Sequence, residues 1–197
     1  MLGASGRGVT ELARVDSREV DMLIGSLATS LGSGGGFCAG SNEVVEHQRI
    51  SGAGYVFSAA MPAILATTAS ESLKIIQKNP SVFAQLKENT KMFRALTDKS
   101  EYVFSPSAQD SPIIHLCLWP EYIKDGKEGD RMLQDVVDEC LANGVLVTRS
   151  RHIAGQERWK FYSSIKVCVT TGFTKRELEK AGMVVRSAIS KVVKLRK

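Results

Sequence analysis

Apolar positions along the chain fall into short runs and helical stripes that alternate from end to end. Residues 20–27, Val-Asp-Met-Leu-Ile-Gly-Ser-Leu, form a short apolar run ending in small residues, the pattern of a buried strand that delivers a loop into a cleft. Gly32-Ser33-Gly34-Gly35-Gly36 follows as that loop. Residues 55–58 read as a second short strand, and Pro62 suits the first turn of a helix reaching about Lys78, with Ile64, Leu65, Leu73 and Ile76 inward. Asn79 ends it, because a residue before proline is pushed out of the α region.

An amphipathic helix restarts at Ser81, with Val82, Phe83, Leu86, Phe93 and Leu96 at three- and four-residue spacing, so a domain boundary is expected near Pro80. Residues 102–104 and 113–118 read as strands. A helix from about Asp130 carries Leu133, Val136, Val137 and Leu141 on one face, and Gly144 suits its left-handed cap. Residues 145–148 and 165–170 are further strand candidates, and Thr174 to Glu177 is a capping box that opens the last helix. The order predicts an α/β first part, residues 1–80, and a smaller α+β second part, residues 81–197.

Composition narrows the function classes. In 197 residues, 43% are hydrophobic and 24% charged, which is ordinary for a folded globular protein. The net charge of +5 is concentrated at Lys191, Lys194, Arg196 and Lys197, where a helix C-terminus favours cations, and no aromatic or basic motif supports nucleic-acid binding. Cys38, Cys117, Cys140 and Cys168 are widely spaced and read as reduced thiols rather than a disulfide frame, and no histidine lies at metal-ligand spacing from a cysteine. No run approaches the length of a membrane span, and the N-terminus has no signal-peptide pattern.

Residues 25–37, Gly-Ser-Leu-Ala-Thr-Ser-Leu-Gly-Ser-Gly-Gly-Gly-Phe, resemble the cofactor-lysine loop of the α-oxoamine synthases, written T-[FL]-[ST]-K-[SA]-[FL]-G-x-x-G-G-[YF]. These pyridoxal-phosphate enzymes condense an amino acid with an acyl-CoA. Here Thr29 occupies the lysine position, and a hydroxyl can neither hold the cofactor covalently nor shuttle the substrate proton. The nearest following lysine, Lys74, lies on a later helix. Gly36-Phe37-Cys38-Ala39-Gly40, His47-Gln48-Arg49-Ile50-Ser51-Gly52 and Tyr55-Val56-Phe57-Ser58-Ala59-Ala60-Met61-Pro62 resemble the lysine-less subunit of heterodimeric serine palmitoyltransferases, apart from alanine for the usual serine at Ala60. Leu2-Gly3-Ala4-Ser5-Gly6-Arg7-Gly8 is similar to the family's L-G-x-x-G-R-G turn. Ser164 and Lys166 stand where catalytic relatives carry R-x-R, so the arginine clamp on the substrate carboxylate is missing.

The resemblance implies the type I pyridoxal-phosphate-dependent transferase fold, with residues 1–80 as the C-terminal part of the large domain and 81–197 as the small C-terminal domain. It implies a non-catalytic structural and regulatory subunit, inactive alone, paired with a lysine-bearing subunit that holds the pyridoxal phosphate. The complex would condense L-serine with palmitoyl-CoA to 3-ketodihydrosphingosine at the endoplasmic reticulum membrane, with this segment on the cytosolic side. Gly34, Gly35, Gly36, Phe37 and Cys38 are then expected at the subunit interface, and Ser58 as a hydroxyl toward the partner's cofactor phosphate. The carboxylate for the pyridine nitrogen, the stacking histidine and the membrane helix lie upstream of the G-R-G turn in relatives, so the chain is expected to be a fragment or partial copy.

Blander readings stand beside these. Taken alone, Ser58 reads more readily as a helix cap, Cys38 as a packed thiol, His115 as a satisfied core histidine, and His152 with Arg149 and Arg151 as a solvated loop. Gly32 to Gly36 could cradle a phosphate. Two rival functions follow: a self-sufficient synthase, which Thr29 opposes, and a small nucleotide-binding α/β module, which needs a strand before Gly3.

Overall fold

The computed structural model describes residues 2–151, 156 and 162–196, and the chain divides into two compact units, residues 1–84 and 85–197. In the first unit a glycine-rich turn leads into α1 (Val9–Ala13) and a single 3₁₀ turn at Ser17–Glu19. Strands β1 (Met22–Ser26) and β2 (Gly36–Gly40) then form an antiparallel hairpin in the register Met22 opposite Gly40 to Ser26 opposite Gly36. Small residues set this pairing: a Cβ at Gly25 would lie 2.4 Å from the Phe37 ring, and one at Gly36 would lie 2.8 Å from the Gly25 carbonyl oxygen. Helices α2 (Asn42–Ser51), α3 (Ala53–Val56) and α4 (Ala63–Lys78) follow, and α5 (Ser81–Thr97) runs across the division between the units.

Two features depart from the pattern reading. Residues 55–58 are not a strand; Tyr55 and Val56 close the single helical turn α3, their N–H groups donating to the Gly52 carbonyl. With no neighbouring strand to complete a ladder, local bonds satisfy these backbone groups instead. Strand β2 and helix α2 were not expected, because Gly36–Gly40 and Asn42–Ser51 carry no strong apolar period. Alpha-2 is instead started by the Ser41 side chain, which accepts from the Val44 N–H. The first unit buries little: Leu31 and Ala69 are its buried apolar side chains among the described residues, whereas Ile24, Ile50, Phe57 and Ile64 are each more than 70% exposed.

The second unit has a conventional core. Strands β3 (Val103–Phe104), β4 (Ile113–Leu118), β5 (Thr148–Arg149) and β6 (Ser164–Cys168) make an antiparallel sheet in the order β3-β4-β6-β5. Ile114, Leu116, Leu118, Ile165 and Val167 point to one face, where they join Phe93 of α5, Met132, Leu133 and Val136 of α6 (Gly126–Ala142), and Val185 and Ile189 of α7 (Lys175–Leu195). The alternation demanded by a strand puts Ile113, His115, Lys166 and Cys168 on the other face.

Alpha-6 starts earlier than its apolar face suggests, at a cap in which the Asp125 carboxylate accepts from the Glu128 N–H at 2.7 Å. Gly144 takes the left-handed conformation, φ +76°, after α6. The expected strand at 145–148 shrinks to Thr148–Arg149, since only this pair meets β6, opposite Lys166 and Ile165. The capping box of α7 is formed in full, Thr174 and Glu177 each accepting from the other's backbone N–H. Two of the terminal cations are tied to α6, Lys191 to Glu139 at 2.8 Å and Arg196 to Asp135 at 2.5 Å.

Candidate functional site

The hairpin presents the loop that carries Thr29. Its base is closed by the Leu27 N–H donating to the Gly35 carbonyl and the Ser33 N–H donating to the Leu27 carbonyl, both at 3.0 Å. Two hydroxyls then fasten it to α4: Ser33 Oγ donates to the Leu65 carbonyl at 2.6 Å, and Ser72 Oγ donates to the Leu31 carbonyl at 2.8 Å. Leu31 is buried beneath this clamp and Thr29 is exposed at the free side of the loop.

The glycines here are there for close approach. A Cβ on Gly34 would lie 3.1 Å from Leu65 Cδ1, and one on Gly35, whose φ is +82°, would lie 2.8 Å from Met61 Cε. Through Met61 the glycine loop therefore neighbours the segment that carries Ser58. Gly35, Gly36 and Phe37 are exposed and Gly34 and Cys38 half-buried. Cys38 sits on β2 opposite Ile24. The contacts of Gly34 and Gly35 are with this chain's own Leu65 and Met61.

Ser58 is exposed, and its hydroxyl donates to the Gly54 carbonyl at the end of α3. It caps no following helix, and a phosphate oxygen would have to compete for that proton. The Lys74 ammonium pairs with Glu71 in its own helix at 2.6 Å.

Pyridoxal phosphate does not fit this chain as a covalent guest, because the loop offers Thr29 in place of an amine, Lys74 is held by Glu71, and the Ser58 hydroxyl is engaged within the chain. In the second unit Ser164 is buried on β6 and hydrogen-bonded to His115 Nδ1 at 2.9 Å, while Lys166, beside them on the same sheet face, is exposed. His115 is thus a satisfied, half-buried histidine, and Ser164 is turned to it rather than open to a carboxylate. His152 lies outside the described residues, and Arg149 is ion-paired with Asp130 at 2.8 Å.

The glycine turn at the start has an occupant that the sequence reading missed. The Glu11 carboxylate accepts from the Ser5 N–H and Oγ at 2.9 Å and from the Arg7 N–H at 3.0 Å. Those backbone hydrogen bonds, from Arg7 and then Ser5, hold its pKa below the usual carboxylate range. Donors that a nucleotide phosphate would need are therefore taken by the chain's own carboxylate, which bears against a nucleotide-binding module. A carboxylate four residues after Arg7, in the first turn of a helix, was the signal available in the sequence.

A hairpin with Thr29 at the lysine position, clamped to a long helix and followed by an antiparallel sheet with helices on its apolar face, places the chain in the type I pyridoxal-phosphate-dependent transferase fold, of which it carries a part. The chain belongs to the aminotransferase class I and II family, whose sequence model matches residues 2–183. Among curated proteins it is similar to serine palmitoyltransferase 1 of Dictyostelium discoideum, 33% identical over 98% of this chain and 41% of that protein. It is also similar to serine palmitoyltransferase 1 of Saccharomyces cerevisiae, 31% identical over 96% and 40%, and to long chain base biosynthesis protein 1 of Arabidopsis thaliana, 29% identical over 98% and 40%.

The chain spans about two fifths of the length of these relatives. Solved structures share the fold: Sphingomonas wittichii serine palmitoyltransferase, TM-score 0.78 at 22% identity over 98% of this chain and 45% of that one, and 8-amino-7-oxononanoate synthase of Francisella tularensis, TM-score 0.75 at 17% over 97% and 52%. A serine palmitoyltransferase solved with pyridoxal phosphate superposes with TM-score 0.79 at 19% identity over 98% and 45%. Among the described residues no helix is long and apolar enough to cross a membrane, and no three metal-binding side chains cluster.

Proposed function

We propose that this chain is the non-catalytic subunit of a serine palmitoyltransferase, pairing with a lysine-bearing homologue that holds the pyridoxal phosphate. The observation that carries the reading is Thr29 at the lysine position of a loop that keeps most of the family pattern, held in place by Ser33 and Ser72. The loop keeps its shape and lacks the amine that the chemistry uses. When bound by the partner, pyridoxal phosphate would supply the electron sink for joining L-serine to palmitoyl-CoA. This chain's role is then to bind and orient. Gly35, Gly36 and Phe37 form the exposed flank of the hairpin toward the partner, and Ser58, once its hydroxyl turns from Gly54, is the donor offered to the cofactor phosphate. Residues 1–80 would complete a large domain and 81–197 would be the small domain. The complex would work at the endoplasmic reticulum membrane, with this segment on the cytosolic side.

The test is product formation from L-serine and palmitoyl-CoA by the chain alone, by a lysine-bearing subunit alone and by the co-expressed pair. Ketone is expected from the pair and none from this chain. Product from this chain in the absence of a partner would instead support the self-sufficient synthase. A Phe37→Asp change, which leaves the strained Gly35 position untouched, is expected to reduce co-purification of the lysine-bearing subunit at least fivefold; unchanged recovery would remove the hairpin flank from the interface.

A further inference from the structure

A charged side chain is buried in the second unit with its hydrogen bonding incomplete. Arg94, in the last turn of α5, is 3% exposed, a rare state for an arginine. Its Nη2 donates to the Ser107 and Ala108 carbonyls at 2.7 and 2.9 Å, and both of these acceptors are neutral. The countercharge, Asp98, stands 3.7 Å from Nη1, beyond hydrogen-bond distance, and is itself 40% exposed. Arg94 Nε has no hydrogen-bond partner among the described residues.

A second orphan lies on the same wall. Arg94 and Ser105 both line a cavity of about 240 Å³, and the buried Ser105 Oγ also lacks a partner among the described residues. Of the three buried side-chain polar atoms in this state, two therefore belong to one cavity, although such atoms are almost always paired in native proteins. Phe104 and Trp119, with ring centroids 4.5 Å apart, supply an apolar side, and Asp98 lines the cavity as well. No residue of the first unit takes part.

We propose that this cavity binds a short-chain monocarboxylate, its oxygens accepting from Arg94 Nε and Ser105 Oγ and its alkyl group against Phe104 and Trp119. A guanidinium N–H can only donate and a hydroxyl can do so, which calls for an acceptor. The buried charge, shared among neutral carbonyls and one distant carboxylate, selects an anion over a neutral amide or water. The volume is below the roughly 300–1,000 Å³ of drug-sized sites, which limits the guest to a few heavy atoms. Asp98 competes with that guest for the guanidinium. The site is independent of the subunit assignment, since it uses nothing from the Thr29 hairpin.

The experiment titrates sodium propionate into the ¹⁵N-labelled full chain, its folded state checked by circular dichroism, at fixed ionic strength, and follows the Arg94 Nε–H resonance. Propionamide, similar in shape and uncharged, is the control. A saturable shift at one propionate per chain is expected, with affinity at least tenfold above that of propionamide and slowed exchange of the Nε proton with water. Asp98→Asn, at a partly exposed position past the end of α5, removes the competing carboxylate and should tighten propionate binding at least threefold. Ser105→Ala should weaken it at least fivefold. A shift that never saturates, which would mean a water-filled cavity only, an equal response to propionamide, or an affinity unmoved by both substitutions would overturn the proposal.

Discussion

A serine hydroxyl and an arginine guanidinium make different demands on a sheet face, and at position 164 this chain is built for the smaller group. Ser164 is 2% exposed and shares a hydrogen bond with His115 across β4 and β6. Ser164→Ala should lower stability by about 1 kcal/mol through loss of that bond, and Ser164→Arg by about 1–3 kcal/mol through overpacking, both read from urea unfolding midpoints. A more stable arginine variant would mean that the site still accommodates the clamp. The thiols of Cys117 and Cys140 are pushed up to about 11, in both cases by burial. An unfolded thiol ionises near ~8.5, so the folded state holds its protons longer; the stability attached to these thiols is fully present below about pH 8.5 and is lost as pH rises toward 11. The melting temperature of the wild type should accordingly fall more steeply between pH 8.5 and 10.5 than that of a Cys117→Ala, Cys140→Ala variant, and parallel curves would contradict this. Thr29 was legible in the sequence because a motif fixes its neighbours. The Glu11, His115 and Ser164 bonds were not, since each depends on a turn geometry or strand register that spacing alone does not specify.

At the scale of elements, helices with strong apolar stripes and marked ends were readable: α4 stops where Asn79–Pro80 requires, and the Thr174 box opens α7. Strands with a clear apolar run or alternation were readable too, β1, β4 and β6 among them; short segments whose state is decided by what lies beside them were not. Residues 55–58 have strand-forming side chains but lack a ladder partner, and 145–148 pair with β6 only at one end. Close helix packing was equally hidden. Gly182 of α7 faces Leu96 of α5 so tightly that a Cβ would lie 2.7 Å from Leu96 Cδ1 and 3.2 Å from its Cβ. Gly182→Val should therefore destabilise the second unit by roughly 1–3 kcal/mol despite removing a helical glycine. Thr174→Ala, which removes half of the capping box, should cost about 1 kcal/mol. Chemical unfolding followed by circular dichroism checks both, and a stabilising Gly182→Val would show that α5 and α7 do not touch at this point.

For the molecule as a whole, the contrast between the units sets the expectation. The second unit has a continuous core from Phe93 to Val193, whereas the first buries only Leu31 and Ala69 among its described apolar side chains. Hydrogen exchange of the isolated chain should be slowest in β4, β6 and α7 and fast in the β1–β2 hairpin, because segments that bury little apolar surface open at the smallest free-energy cost. An exposed hairpin carrying a clamped but amine-free loop is what a subunit needs if its partner brings the chemistry. The decisive measurement is the intact mass of each chain after borohydride reduction of the complex co-purified with a lysine-bearing serine palmitoyltransferase subunit in pyridoxal phosphate. The cofactor mass should appear on the partner alone, leaving this chain unmodified; a reduced cofactor on this chain would contradict its assignment as the non-catalytic subunit.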